Sequence, residues 1–178
     1  FFLIDKFSCS FLYKKLIENR FKYEENIDPI YILKAKKNSV EISNSIKSHV
    51  LDGVALTKFI YWLKNNVHKF KISEISAEKK LETFRKKNTK YQFPSFSTIS
   101  GTGPNGAIVH YRANKKTNRL IKKNDIYLCD SGGQYHYGTT DVTRTICFSQ
   151  QSKKIKNIFT RVLKGHIGVA TYNLNKNT

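Results

Sequence analysis

Methionine is missing altogether from the 178 residues, and proline, cysteine and tryptophan are scarce, at three, three and one. The chain opens Phe1-Phe2-Leu3-Ile4, so the expectation is a fragment whose true start lies upstream. No apolar run approaches the ~20 residues a membrane helix needs, and no charged, apolar and small layout of a secretory leader stands at the front. A soluble protein without a membrane partner is expected. Cys9, Cys129 and Cys147 are odd in number, scattered, and lack the close spacing of zinc or redox motifs. A reducing compartment, the cytoplasm, fits that usage. Acidic residues are also few, 13 against 32 lysines and arginines, which leaves a formal charge of +19.

Such a charge raises the question of nucleic acid, because clustered Lys and Arg release counterions from phosphates. The charge here is diffuse and mostly lysine, with arginine confined to Arg20, Arg85, Arg112, Arg119, Arg144 and Arg161. Arginine is the residue that grips phosphate bidentately. Solvated helix faces account for the lysines, and no nucleic-acid partner is expected. Hydrophobic residues, at 39%, suffice for a core in a chain of this length.

Along the chain, Phe1 to Ile4 reads as a short buried strand, followed by a Lys-rich stretch to Asp28-Pro29, where proline disfavours helix at the residue before it. A boundary is placed there, giving 1–28 as the tail of a preceding non-catalytic domain and 29–178 as a second domain. Asn38 stands three residues before Glu41 in the spacing of a reciprocal cap, and Ile42, Ile46, Val50 and Val54 recur every four residues. The pattern predicts a long amphipathic helix over about 39–63. A second helix is expected over 77–87, with Leu81 and Phe84 inward and Lys79, Lys80, Lys86 and Lys87 solvated. From Phe93 the texture turns β-branched and aromatic, and a Lys-rich helix closes the chain over about 152–172. Helices, then strands, then helix make an α+β domain. No internal repeat is present.

Residues 126–146 read as two strands joined by a tight turn. With Tyr135-His136 as the turn, Asp130 lies directly opposite Asp141. With His136-Tyr137 as the turn the two are offset along the strands but stay on one face, and an odd-length loop separates them unless a bulge restores the register. Carboxylates so close repel, and at least one pKa rises unless a cation sits between them. The all-oxygen set favours Mn²⁺ or Mg²⁺, with Zn²⁺ or Co²⁺ if histidine joins; two solvated aspartates flanking a turn are the plain alternative. Glycines 132, 133 and 138 are explained by the needs of a tight hairpin, positive φ and close backbone approach. Ser100 to Gly106 is glycine-rich but lacks the Gly-Lys-Ser/Thr ending of a phosphate loop.

Gly103-Pro104-Asn105-Gly106-Ala107-Ile108-Val109-His110-Tyr111-Arg112, Asp130-Ser131-Gly132-Gly133-Gln134-Tyr135 and Gly138-Thr139-Thr140-Asp141-Val142-Thr143-Arg144-Thr145, in that order, resemble aminopeptidase P of the pita-bread metallopeptidases. The likeness runs from about Ile27 to Lys164 and takes in Asp52-Gly53-Val54 and Thr160-Arg161-Val162-Leu163-Lys164. It implies the N-terminal part of a pita-bread domain, long helices on a curved antiparallel sheet, and removal of the residue before a penultimate proline. It further implies two divalent metal ions, Mn²⁺ foremost, with Asp130 chelating one and Asp141 bridging both, and His110 contacting substrate and helping proton traffic. Peptides with proline second are the implied substrates, and the full-length protein is expected to be a homodimer.

In the family one histidine and two glutamates further along complete the site. Glu82 is the last glutamate here, and His166, on the Lys-rich final helix, is not taken as a ligand. These residues alone are therefore expected to be inactive, to bind metal weakly, and to be poorly soluble. A prolidase on the same fold, or a pita-bread protein that has lost catalysis and serves as a binding module, are the alternative readings.

Overall fold

The computed structural model describes residues 1–173. Residues 174–178 of the domain expected over 29–178 lie outside them. The chain divides into two compact units, Phe1–Asn44 and Ser45–Thr178.

In the first unit, β1 (Phe2–Ile4) pairs in parallel with β2 (Tyr23–Glu25) in a two-stranded sheet, so of the strand expected to be buried only Ile4 is, and Phe1, Phe2 and Leu3 are exposed. The Lys-rich stretch between the strands holds a helix, α1 (Phe11–Glu18). The rings of Phe2 and Phe21 meet at 5.0 Å. Asp28 ends this stretch as the cap of α2 (Pro29–Ala35), accepting from the Ile30 N–H at 2.9 Å with Pro29 in the first turn. Proline is suited to that turn because the N–H it lacks would have no helical partner.

Helix α3 (Ser39–Asn66) starts where the cap spacing places it. The Glu41 N–H donates to Asn38 Oδ1 at 2.9 Å, and the Asn38 N–H donates back to Glu41 Oε2 at 2.9 Å. The face it buries differs from the expected one. Ile42, Ile46, Val50 and Val54 are all about half exposed or more, whereas Ser48, Asp52, Ala55, Leu56, Phe59 and Leu63 are buried. The sheet selects this face: Leu56, Phe59 and Leu63 pack with Tyr127, Cys129 and Ile146 into the core, and Asp52 meets a buried cation. A second core helix, α4 (Glu74–Arg85), begins three residues before the expected 77 because Ser73 and Ser76 form a reciprocal cap. Ala77 and Leu81 point into the core and Phe84 packs against its edge.

The strands that follow are β3 (Tyr91–Pro94), β4 (Ile99–Thr102), β5 (Ile126–Ser131), β6 (Gly133–Tyr135) and β7 (Val142–Cys147). An antiparallel sheet takes the order β4-β5-β7, and β3 pairs antiparallel with β6. Burial alternates along β5: Tyr127, Cys129 and Ser131 face inward, and Ile126, Leu128 and Asp130 lie on the other, half-open face. Helix α5 (Lys153–Ala170) closes the described chain as expected, with Ser152 as its cap.

Helices and hairpin are tied by one buried ion pair. Arg85 Nε donates to Asp52 Oδ1 at 2.7 Å and Nη2 to Oδ2 at 3.1 Å, with both side chains at most 1% exposed. Burial alone would lower the Arg85 pKa; the hydrogen bond and charge of Asp52 more than reverse this and raise it. Arg85 Nη2 also reaches Ser131 Oγ at 3.0 Å, and the Tyr135 hydroxyl donates to Asp52 Oδ1 at 2.8 Å. Removing one partner of such a pair strands a charge in the core, at a cost of about 3–5 kcal/mol. Asp52→Ala and Arg85→Ala should each lower the urea midpoint by that amount of stability, while Asp52→Leu with Arg85→Met recovers most of it.

Candidate metal centre

The strands β5 and β7 keep one register from end to end, with Ile126 opposite Cys147 and Asp130 opposite Thr143. The turn is reached without a slip: Thr140 N–H bonds Gly133 O at 2.9 Å, and Tyr135 and Gly138 exchange N–H···O bonds at 2.9 and 3.3 Å. His136 and Tyr137 are therefore the two turn residues. This corrects the arrangement with Tyr135-His136 as the turn, in which Asp130 directly opposes Asp141. The offset arrangement is the one found. Asp141 stands one residue before β7, diagonal to Asp130 and on the same face.

The two carboxyls converge. The Asp141 pKa is raised from the ordinary 3.8, first by desolvation of the carboxyl, then by the charge of Asp130 and a hydrogen bond shared with it, while His49 acts in the opposite direction. Thr143 Oγ1 donates to Asp130 Oδ1 at 2.8 Å and orients it from the neighbouring strand. Helix α3 flanks the hairpin: Lys47 Nζ sits 3.7 Å from the Tyr137 ring centroid, and His49 Nδ1 lies 2.8 Å from Ser45 O.

Glycine at 132 is required by close approach. A Cβ there would lie 1.9 Å from Thr140 O and 2.3 Å from Ser95 Oγ, contacts no side chain tolerates. Positive φ is not the reason, since among the described residues only Gly103 and His110 adopt it. The turn itself is made without a left-handed residue.

His110 is exposed and has φ 53°, a conformation costing roughly 1–2 kcal/mol for a residue with a Cβ. Among the described residues its ring makes no hydrogen bond to either aspartate. It follows the short 3-10 turn Gly103–Ala107 and precedes Tyr111, which is buried. His166 is exposed on α5, and no group of three or more His, Cys, Asp or Glu able to hold a metal exists among the described residues. Cys129, beside Asp130 in sequence, faces the core, where burial pushes its thiol up to about 11 and keeps it from acting as a thiolate ligand.

Two groups of functional weight escape the sequence reading. One is the Asp52, Arg85, Ser131 and Tyr135 network; its signal is a charged residue on the core stripe, Asp52 preceding Leu56, Phe59 and Leu63, and Arg85 following Ala77 and Leu81. The other is Glu74, wholly buried at the first position of α4. A glutamate in a first helical turn is so ordinary that nothing in the sequence marks it.

A two-carboxylate hairpin on a helix-backed antiparallel sheet can be compared with known proteins. The profile of metallopeptidase family M24 matches residues 44–173. The Xaa-Pro aminopeptidase ApepP of Drosophila melanogaster is 50% identical over 144 residues, covering 80% of this chain and 24% of that protein. A probable Xaa-Pro aminopeptidase P of Laccaria bicolor is 48% identical over 144 residues, 80% of this chain and 22% of that protein. Among solved structures, an X-prolyl aminopeptidase from Caenorhabditis elegans, a cytosolic enzyme with a di-nuclear active site, superposes with a TM-score of 0.78 at 35% identity, covering 82% of this chain and 24% of that one. An Xaa-Pro dipeptidase from Bacillus anthracis shares the fold, with a TM-score of 0.74 at 23% identity over 93% of this chain and 44% of that one. The chain thus spans about a quarter of the length of the curated relatives it matches. With both aspartates and His110 inside the matched segment, the chain belongs to metallopeptidase family M24 and has the α+β pita-bread fold of its Xaa-Pro aminopeptidases.

Proposed function

We propose that residues 29–178 form the N-terminal half of the catalytic domain of a dinuclear Xaa-Pro aminopeptidase, with 1–28 the tail of a preceding domain. The observation that carries this reading is the convergence of Asp130 and Asp141 on the open face of the hairpin, in a chain half identical to a named Xaa-Pro aminopeptidase. The reading takes Asp130 as chelator of one ion and Asp141 as the bridge between two. Paired carboxylates are a hard donor set, suited to Mn²⁺, with Zn²⁺ or Co²⁺ admitted if histidine joins. Two divalent ions accord with the di-nuclear site of the Caenorhabditis elegans enzyme. When bound, the metal pair supplies charge neutralisation and Lewis acidity for peptide hydrolysis.

The chain's own residues have separable tasks. Asp130 and Asp141 hold negative charge that is unfavourable without a cation, Thr143 orients Asp130, and the Asp52–Arg85 pair fixes the strand end from behind. His110 contacts substrate and handles a proton near the scissile bond. The substrates are peptides with proline at the second position; the whole protein is a cytoplasmic homodimer, with neither nucleic acid nor membrane as a partner. No helix among the described residues is long and apolar enough to cross a membrane. The remaining ligands, a histidine and two glutamates, follow further along, so this chain alone is inactive.

The whole protein should cleave a tripeptide with proline second and leave an Xaa-Pro dipeptide intact; the opposite preference makes it a prolidase, and no cleavage of either makes it a binding module. Asp141→Asn should cost at least about 100-fold in kcat/KM, the upper end of what even an outer-shell change costs a metal site. Titrated calorimetrically, the 178-residue chain should bind Mn²⁺ only weakly; tight stoichiometric binding would refute the incomplete site.

Linkage gives a further prediction. Because the folded-state pKa of Asp141 is raised, its contribution to stability is present below the unfolded-state value and lost as pH rises through the raised one. Saturating Mn²⁺ should therefore raise the melting temperature near neutral pH and not below the carboxylate range. Asp130→Asn should bring the Asp141 midpoint down toward 3.8, followed by NMR of the carboxyl carbon.

A further inference from the structure

His110 is the one residue with a side chain, among those described, whose backbone is left-handed. Strain of this kind persists only where the surroundings over-determine it. The surroundings here centre on one carboxylate, with Asn105 and Thr117 also in hydrogen-bond reach of the Tyr111 hydroxyl. Glu74 is 0% exposed, and its Oε1 accepts from the Thr102 N–H at 2.8 Å and from Asn105 Nδ2 at 3.0 Å. Its Oε2 accepts from the Tyr111 hydroxyl at 2.8 Å and from the Arg119 N–H at 3.0 Å. Among the described residues no cationic side chain pairs with it; four hydrogen-bond donors and the first turn of α4 take that place.

Those donors are not scattered. Thr102 and Arg119 bracket the segment 103–118, and Asn105 and Tyr111 lie within it, so a single carboxylate closes both ends of a long excursion and grips its interior twice. The closure is reinforced on the main chain. The Glu74 N–H donates to Arg119 O at 3.0 Å, the Ile121 N–H donates to Ile72 O at 2.8 Å, and the Ile75 N–H donates to Asn118 Oδ1 at 3.1 Å. A loop closed in this way is held at its ends by Glu74 and the main chain, and inside by the side chains of Asn105 and Tyr111.

His110 sits one residue from one of these grips, the buried Tyr111. Tyr111 is 5% exposed while Val109 is 83% exposed, so the chain passes from open solvent to a buried anchor across His110 alone. With the phenol held by Glu74 and the preceding residues fixed by the 3-10 turn, the backbone at 110 must turn sharply, and the left-handed conformation does this.

We propose that Glu74 is a positioning residue for His110: by anchoring Tyr111 and both ends of the segment 103–118 it imposes the left-handed backbone that presents the His110 ring to substrate. This rests on the reading of His110 as a substrate contact. Glu74 touches no reacting group and acts only through Tyr111 and the loop.

Tyr111→Phe keeps the buried ring and deletes the hydroxyl that Glu74 shares with Asn105 and Thr117; Glu74→Gln keeps the shape of the hub but turns half of its acceptor oxygens into a donor. In the isotopically labelled 178-residue chain, the Cα shift and one-bond Cα–Hα coupling of His110 should report positive φ in the wild type and its loss in both variants. Tyr111→Phe decides the matter even where Glu74→Gln does not fold. In the whole protein, Tyr111→Phe should lower kcat by about 10- to 100-fold, the cost of misplacing a reacting group by an ångström, with a smaller change in KM. Added to His110→Ala it should cost nothing more, because the two act as one unit. A merely structural Tyr111 would instead multiply the His110→Ala loss, and that result, or a His110 that stays left-handed in Tyr111→Phe, overturns the proposal. Should the whole protein cleave no Xaa-Pro peptide, the functional reading fails, while the backbone measurement still decides whether Glu74 sets His110.

Discussion

The bidentate bond between Arg85 and Asp52 joins the parts of the second unit that share no covalent neighbourhood. It crosses from α4 to α3, and its spare donor and acceptor capacity reaches Ser131 at the end of β5 and Tyr135 at the end of β6. Gly132 lies between those two contacts, with its neighbour across the hairpin too close for any side chain. The hairpin that carries the aspartates is thus gripped from behind at both sides of its tightest point. An apolar core would hold the sheet to the helices but would leave sliding along the strands cheap; a directional ion pair does not.

The chain has few acids, and it divides them by role. Asp52 and Glu74 are fully buried, and every oxygen of each is met by a donor. Asp130 and Asp141 lie on the opposite, open face, where the Thr143 hydroxyl donates to Asp130 and the two carboxyls meet each other. Buried acids with complete hydrogen bonding are rigid scaffolding. Acids left short of partners and brought together are a place where a cation belongs. In a protein with so large an excess of lysine, no lysine or arginine forms an ion pair with either hairpin aspartate among the described residues. On the proposed reading of the hairpin as a metal centre, this keeps the two carboxyls free of a charge that would neutralise them in place of the metal.

Much of this was legible from residue order alone. The cap at Asn38, the end helix from Ser152, the hairpin and the shared face of its aspartates all follow from local rules of spacing and alternation. The buried face of α3 did not follow, because Ile42, Ile46, Val50 and Val54 make a better stripe by composition than one containing Ser48 and Asp52. Only the sheet and Arg85, far along the chain, make the less apolar face the inner one. The turn position was open for a related reason. His136 and Tyr137 carry no glycine or asparagine signature, and the register is fixed by pairing with β5 and by the contact of β6 with β3, which a local reading does not contain. Glu74 was invisible because its partners are the backbone N–H groups of Thr102 and Arg119 and the side chains of Asn105 and Tyr111, all far along the chain.

The uninterrupted pairing of β5 with β7 has a consequence for how such a hairpin can change over time. Cys129 and Ser131 point one way and Asp130 the other, so slipping β5 by one residue against its neighbours would carry Asp130 into the core and the Cys129 thiol into the open. Substitutions at the tip leave the alternation untouched. The bend can therefore vary in chemistry and in length only so far as the pairing of β5 with β7 on either side of it is kept in register.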